Sequence, residues 1–338
     1  MKKRTWLAMI LAAMLILAVG CGQGNDQAAN ESGFKVGMVT DTGGLNDESF
    51  NQTTWDGLER AKDELGADIK ALESKQDSDY VPNLTKFARE GRNLTWAVGF
   101  KHEKAVPEVA QQFPDVQFGI VDSNLGGNIP ANVTAVTFKE EEGSFLVGAA
   151  AGLTTKTNKV GFIGGINSEL IEKFEAGFIA GVKAVNPKAE VISAYAGSFS
   201  DVTKGRTLSA GMYNQGADII YHAAGGVGKG LFDEVKTREA GKFWAIGVDM
   251  DQSRLAPEHT LTSMVKKVDV AVFDITKSLK DKDLKSGEHH VFGLQDDAVG
   301  LAENTKNINP DVLTKVNEYK EKIISGDIVV PTKVADVK

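Results

Sequence analysis

Several residues suited to binding a small molecule follow the predicted strands of this 338-residue chain. The first predicted strand leads into a loop with Asp41, paired glycines and Asn46, and Phe50 opens the helix that follows. Carboxylate and amide groups can hydrogen-bond a polar ligand, glycines admit a close backbone approach, and an aromatic ring offers a stacking face. The same residue types also make turns and caps, so this loop alone is compatible with either role.

A matching set follows strands in the second half of the chain. Phe174 shares a predicted helix with Phe178, and taken alone both rings fit a hydrophobic core better than a ligand site. Gly225 lies in a glycine-rich loop that resembles a phosphate loop. The Walker motif needs Gly at position 223, where this chain has Ala, and Ser or Thr at position 230, where it has Gly. The dinucleotide fingerprint also fails, because Leu231 replaces its third glycine. The loop therefore predicts close approach to an uncharged ligand.

Two charged residues also stand at strand ends. Asp249 closes one predicted strand and Lys266 follows another. A carboxylate can accept hydrogen bonds from a vicinal diol and an ammonium can donate to the same oxygens, which suits a ribose. Asp41 and Asp249 would repel a phosphate in a closed cleft, so a nucleoside fits better than a nucleotide. An ordinary salt bridge or helix cap is the alternative role for these residues.

Catalytic and metal-binding patterns find little support in the sequence. It has no serine-elbow motif, and His102-Glu103 lacks the second histidine of a zinc helix. His289 and His290 would point to opposite faces of a strand, which does not suit a metal pair. We therefore expect a binding protein without cofactor or metal, not an enzyme.

The elements that must position these residues alternate between short β-rich runs and amphipathic helices, which is typical of parallel sheets with crossover helices. In the first helix, Ser49 and Gln52 predict a capping box and Gly66 a stop. A last helix is predicted near 310–324. The predicted strands are 34–40, 68–73, 94–100, 116–122, 133–138, 159–165, 189–196, 217–223, 243–249, 261–265 and 290–294.

Two series of strands and helices predict two doubly wound α/β lobes. We expect an N-terminal lobe at 34–138 plus about 266–292, and a C-terminal lobe at 139–262 plus about 296–326. Several chain crossings between the lobes would form a hinge, and the cleft would close on a ligand.

The N-terminus predicts secretion and lipid anchoring. Residues 1–20 have the basic head and apolar run of a signal peptide, and Cys21 follows in a sequence similar to a lipobox. Residues 21–33 would carry the lipid and act as a flexible tether. Removing the three cations of the signal peptide changes the formal charge from −8 to about −11, which argues against nucleic acid as a partner.

Five stretches of the sequence carry specific motifs: DTGGLNDESFNQTTWDG at 41–57, TFKEEEGSFLVGAAAG at 137–152, 161–165, FEAGFIAG at 174–181 and 247–249. These motifs resemble the basic membrane protein family, which includes purine nucleoside receptor lipoproteins, and the resemblance covers essentially the whole mature chain. It implies a type I periplasmic-binding-protein fold and delivery of the ligand to an ABC permease with a cytoplasmic ATPase. We also expect the protein to be a monomer.

By this similarity, Phe50 and Phe174 would enclose the base, and Asp41 and Asn46 would contact its edge. The ribose would be held by Gly225, Asp249 and Lys266.

One position departs from the family pattern. After the third strand, family members commonly have Gly-Phe, three residues and Asp-Ala, with the aspartate facing the base. This chain has Lys104 at the acidic position, with Glu103 beside it. Either Glu103 substitutes for the aspartate or base recognition has changed, so a preference for guanine does not follow from the resemblance.

Other functions remain open on the sequence alone. A sugar or another small polar ligand could occupy the same kind of cleft, because aromatic rings and carboxylates also hold pyranoses. A membrane-anchored ligand sensor of the same fold is a further alternative, and an oxidoreductase with a Rossmann lobe is disfavoured by the failed fingerprints.

Overall fold

Two six-stranded sheets organise residues 33–338, which are the residues that the computed structural model describes. The predicted signal peptide, Cys21 and the predicted tether up to residue 32 lie outside the described residues. In the first sheet the strand order is β11-β5-β4-β3-β1-β2, and all neighbours are parallel. Its strands are β1 (Lys35–Val39), β2 (Asp68–Leu72), β3 (Leu94–Val98), β4 (Gln117–Val121), β5 (Val133–Phe138) and β11 (His289–Phe292).

The second sheet repeats this order as β12-β10-β9-β8-β6-β7. It is parallel except for the antiparallel pair of β12 with β10. Its strands are β6 (Lys159–Gly164), β7 (Glu190–Tyr195), β8 (Ile219–Ala223), β9 (Trp244–Asp249), β10 (Thr260–Lys266) and β12 (Val299–Leu301).

Helices cover both faces of each sheet, because their apolar sides supply the buried clusters that pack against the strands. The first sheet packs against α1 (Phe50–Leu65), α2 (Tyr80–Arg89), α3 (Ala105–Gln112) and α8 (Val268–Lys280). The remaining helices are α4 (Glu140–Thr154), α5 (Glu169–Val185), α6 (Val202–Asn214), α7 (Gly228–Val235) and α9 (Pro310–Ile324).

The chain passes between the two sheets three times, after β5, after β10 and after β11. The predicted class of two doubly wound α/β lobes is confirmed, and we call the halves built on the first and second sheets the first and second lobes. The predicted strands all occur within a residue or two of their expected bounds. The strand β12 was not predicted, because three residues are too few to show an alternating pattern.

Helices α4 and α5 pack unusually closely, and this contact explains part of two sequence motifs. Side chains at Gly148, Gly177 and Gly181 would collide with backbone atoms of the facing helix. The small residues of GSFLVGAAAG and FEAGFIAG therefore bring the two backbones together. Gly177 faces the backbone of Glu141 at the start of α4, so this packing fixes the part of α5 that follows Phe174.

Candidate functional site

A cavity lies where the carboxyl ends of the two sheets meet. Both lobes contribute to its walls, as expected for ligand binding at the strand ends of parallel sheets. It is lined by Asp41, Asp47, Phe50, Asn51, Gly99, Phe100, Asp122, Leu170, Ile171, Phe174, Phe199, Ala223, Ala224, Gly225, Val248, Asp249 and Lys266.

The structure brings most of the predicted site residues to this cavity, namely Asp41, Phe50, Phe174, Gly225, Asp249 and Lys266. Asn46 is not among the lining residues: it is exposed, and its carbonyl accepts a hydrogen bond from Lys229 Nζ at 2.9 Å. Phe174 and Phe178 are both buried in the core of the second lobe, but only Phe174 also lines the cavity.

The start of α1 is held by Asp47. The predicted capping box of Ser49 and Gln52 is wrong, because the Ser49 side chain makes no capping hydrogen bond. Instead the Asp47 carboxylate accepts backbone N–H groups of Ser49, Asn51 and Gln52 at 2.9–3.1 Å. The Ser49 hydroxyl is thereby free to donate to Asp249 Oδ2 of the second lobe.

Lys266 is the centre of a buried ionic cluster. Its ammonium donates to both carboxylate oxygens of Asp122, at 2.8 and 2.7 Å, and to Glu140 Oε1 at 3.4 Å. The side chains of these three residues are at most 4% exposed. Asp122 follows β4 of the first sheet and Lys266 ends β10 of the second, so this ion pair joins the lobes.

Aromatic rings from both lobes surround the same ammonium. Lys266 Nζ lies 4.9 Å from the centre of the Phe50 ring and 5.5 Å from that of Phe174. A second pair, Phe100 and Phe199, meets edge to face with 6.3 Å between ring centres. The cavity therefore combines flat apolar surfaces with carboxylates, which suits a flat ligand that carries hydrogen-bond donors.

The electrostatics of the cavity are dominated by acidic groups. Burial raises the pKa of Asp41 and Asp249, and hydrogen bonds from Asn51 and Ser49, respectively, partly oppose the rise. Burial likewise raises the pKa of Asp122 to about 7 despite the attraction of Lys266. Four aspartates line the cavity and its single lysine is already paired, so a phosphate group would face carboxyl oxygens and find no free cation among the lining residues.

Unusual backbone conformations cluster at this site. Asp122 directly follows β4, and Asp249 is the last residue of the equivalent strand β9. Both residues have a φ of 66°. Gly99, after β3, has a φ of 105°, which is largely reserved for glycine. Left-handed residues at strand ends turn the chain sharply, and here they direct carboxylates into the cavity.

Sequence reasoning missed Asn51, Asp122 and Phe199 as lining residues. Asp122 directly follows a predicted strand, so the rule that identified Asp249 could also have found it. Asn51 is the second residue of α1, where a polar residue is ordinary. Phe199 lies in a loop after β7 and carries no comparable sequence signal.

The two residues at the position that departs from the family pattern lie outside the cavity. Glu103 and Lys104 are both exposed, and neither is among its lining residues. His102, just before them, is fully buried against Tyr80.

A short loop of the first lobe, residues 46–49, makes several contacts with the second lobe, and we call these contacts the latch. In addition to the bonds of Asn46 with Lys229 and of Ser49 with Asp249, the Glu48 carbonyl accepts from Gln252 Nε2 at 2.7 Å. The Glu48 carboxylate also pairs with Arg254.

Comparison with known proteins identifies the family. The model of the Bmp family, described as ABC transporter substrate-binding protein PnrA-like, matches residues 34–334. The chain belongs to the Bmp family. Members of this family are substrate-binding proteins of ABC transporters and not enzymes.

Relatives of this Bmp-family chain align over nearly its whole length. A CD4+ T-cell-stimulating antigen of Listeria monocytogenes is 45% identical over 98% of this chain and 100% of its own. The ABC transporter nucleoside-binding protein BmpA of Lactococcus lactis is 38% identical with the same coverage. Basic membrane protein A of Borreliella burgdorferi is 35% identical over 88% of each chain.

Solved structures agree with the family assignment. An ABC transporter solute-binding protein from Aeropyrum pernix superposes with a TM-score of 0.81 at 27% identity, over 88% of this chain and 94% of its own. A solute-binding protein from Agrobacterium vitis shares the fold at 13% identity, with a TM-score of 0.62 over 83% and 98%. The predicted type I periplasmic-binding-protein fold is therefore confirmed.

Residues 33–338 contain neither a candidate membrane-spanning helix nor a candidate metal cluster. No helix in this range is long and apolar enough to cross a membrane. No group of three or more His, Cys, Asp or Glu residues in it is placed to hold a metal ion.

Proposed function

We propose that this Bmp-family protein captures a purine nucleoside in the interlobe cavity and delivers it to the permease of an ABC importer. The observation that carries the proposal is that two aromatic rings, Phe50 and Phe174, line the same interlobe cavity as several carboxylates. A purine offers two faces for stacking, and a ribose offers a diol. The nucleoside-binding description of the Lactococcus lactis relative supports the same ligand class.

In this proposal Phe50 and Phe174 enclose the base, and Asp41 contacts its edge. Asp249 accepts from the ribose diol through Oδ1, because its Oδ2 already accepts from Ser49. Gly225, with a φ of 55°, allows close approach of the backbone to the ribose. Lys266 can donate to the ribose only if it gives up a hydrogen bond to Asp122 or Glu140. Its main contribution is therefore to hold Asp122 in place.

We further propose that the protein acts as a monomer on the extracytoplasmic face of the cell membrane, held by a lipid on Cys21. The anchor proposal rests on the sequence, since Cys21 is the only cysteine of the chain. Cys21→Ser should release the protein from membranes without changing ligand affinity. Membrane attachment of that variant would contradict the anchor.

Calorimetric titration of the purified protein tests the ligand class. We expect guanosine, inosine or adenosine to bind, and nucleoside monophosphates and hexoses to bind far more weakly. Binding of a hexose with no binding of any purine nucleoside would support the sugar-binding alternative instead.

A further inference from the structure

Asn51 is oriented by its neighbours in a way that bears on ligand choice. It is only 1% exposed, and its Nδ2 donates to Asp41 Oδ1 at 2.8 Å and to Asp47 Oδ2 at 3.0 Å. Both Asp47 oxygens also accept backbone N–H groups, so this carboxyl serves as an acceptor throughout. The amide nitrogen must therefore face the two aspartates, and Oδ1 must face away from them.

Asn51 Oδ1 is buried and has no hydrogen-bond partner among residues 33–338. An unpaired buried acceptor is costly, and native structures leave few of them. Asn51 lines the ligand cavity, so a donor on a bound ligand can pair with this oxygen. The cost of the unpaired oxygen would then be recovered on binding.

A second acceptor lies close by. Asp41 Oδ1 is occupied by Asn51 Nδ2 and the Gly43 N–H, while Oδ2 accepts no hydrogen bond from the described residues. Asp41 Oδ2 and the edge of the Phe50 ring each lie 3.5 Å from the position that a β-carbon on Gly99 would occupy. Asp41 Oδ2 and the ring proposed to stack on the base therefore both border Gly99 on the cavity wall.

Side-chain donors at the cavity are fully engaged. Among its lining residues only Asn51 and Lys266 carry side-chain N–H groups, and both are bound to carboxylates. A ligand edge that presents an acceptor to Asn51 Oδ1 and Asp41 Oδ2 would meet repulsion. An edge that presents two adjacent donors would satisfy both oxygens.

We propose that Asn51 is a specificity-determining residue that, with Asp41, selects 6-oxopurine nucleosides over adenosine. Guanosine offers a ring N1–H beside a 2-amino group, and inosine offers the N1–H alone. Adenosine has a bare acceptor at N1. This inference rests on the proposed nucleoside function, and it places base recognition on the β1 loop and α1 instead of on the exposed Lys104.

The test is a calorimetric titration of the full protein with guanosine, inosine and adenosine. Pairing of a buried acceptor is worth about 1–3 kcal/mol, so guanosine and inosine should bind about ten- to a hundredfold more tightly than adenosine. Asn51→Ala should reduce this ratio to within a few fold, with its fold checked by thermal melting. If that variant does not fold, the ratio measured on the parent protein decides the question.

The outcomes separate this inference from the function on which it rests. Adenosine binding as tightly as inosine, or an equal loss of all three nucleosides in a folded Asn51→Ala protein, would overturn the role of Asn51 while leaving the nucleoside site intact. Failure of every purine nucleoside to bind the parent would overturn both proposals.

Discussion

Lys266 Nζ of the second lobe and the Asp122 carboxylate of the first lobe form a buried ion pair with N–O distances of 2.7 and 2.8 Å. Removing one partner of a buried pair leaves the other charge without compensation. Lys266→Met should therefore lower the free energy of unfolding by about 3–5 kcal/mol, as measured by urea denaturation.

The neighbouring Lys267 offers a matched control for this first prediction. It pairs with Asp297 at the surface, with side chains 40% and 70% exposed, and such pairs contribute little. Lys267→Met should change stability by less than about 1 kcal/mol. Equal effects of the two substitutions would argue against a structural role for the buried cluster.

The ring pair should contribute directly to ligand binding. Stacking of a base on an aromatic side chain is worth roughly 1–3 kcal/mol, so Phe50→Ala and Phe174→Ala should each weaken nucleoside binding about tenfold or more. Phe292 packs against Phe138 outside the cavity, and Phe292→Ala is the control. A similar loss of affinity in all three variants would indicate a general effect on folding.

The Glu48–Arg254 contact of the latch should adjust affinity without affecting ligand choice. Glu48 and Arg254 touch each other across the lobes but do not line the cavity. Because the pair is partly exposed, Arg254→Glu should speed nucleoside dissociation only severalfold, and by the same factor for every nucleoside. The double variant Glu48→Arg with Arg254→Glu should restore the rate in stopped-flow measurements, and failure to do so would contradict the pairing.

His102 should make the protein sensitive to acid. Burial lowers the pKa of His102 to about 3, while an unfolded histidine has a pKa of about 6.5. Between these values the unfolded chain binds a proton that the folded protein excludes, so falling pH costs about 1.4 kcal/mol of stability per pH unit from this residue. His102→Phe retains a ring against Tyr80 and should remove this part of the slope.

This pH prediction is measured by urea denaturation at several values between pH 4.5 and 6.5. Carboxyl groups whose pKa is raised, such as Asp47 at about 7, act in the opposite direction, but they are common to parent and variant. The exposed His289 provides the comparison, and His289→Gln should change the slope less. Identical slopes for parent and His102→Phe would contradict a buried neutral His102.

The close packing of α4 on α5 predicts opposite effects for two glycine substitutions. A side chain at Gly181 would collide with the Phe145 carbonyl, so Gly181→Ala should destabilise the protein by about 1–3 kcal/mol. Gly211 lies within α6 with open space around it, and Gly211→Ala should stabilise by about 0.5–1 kcal/mol through helix propensity. Thermal unfolding of both variants distinguishes the two sites.

Most of the fold could be predicted from the sequence because parallel strands and their helices carry regular apolar patterns. Residues at or just after strand ends, such as Asp249 and Asp41, could be placed at the cavity because the carboxyl ends of parallel strands share one edge. Asn46 illustrates the limit of this reasoning. It lies in the predicted loop, but it is exposed beside the turn that Asp47 stabilises, and no sequence pattern encodes that exposure.

Partnerships between distant residues could not be predicted in the same way. The pairing of Lys266 with Asp122 links residues 144 positions apart, and the sequence suggested a ribose as the partner of Lys266. The orientation of the Asn51 amide depends on two carboxylates brought together by the β1 loop. Such contacts depend on side-chain geometry across elements, which hydrophobic periodicity does not encode.

A crystal structure of the protein with bound guanosine tests the central claim most directly. We predict a purine ring between Phe50 and Phe174, with its N1–H edge on Asn51 and Asp41 and its ribose hydroxyls on Asp249. Density for the nucleoside outside the interlobe cavity, or a ribose in the place assigned to the base, would contradict this account.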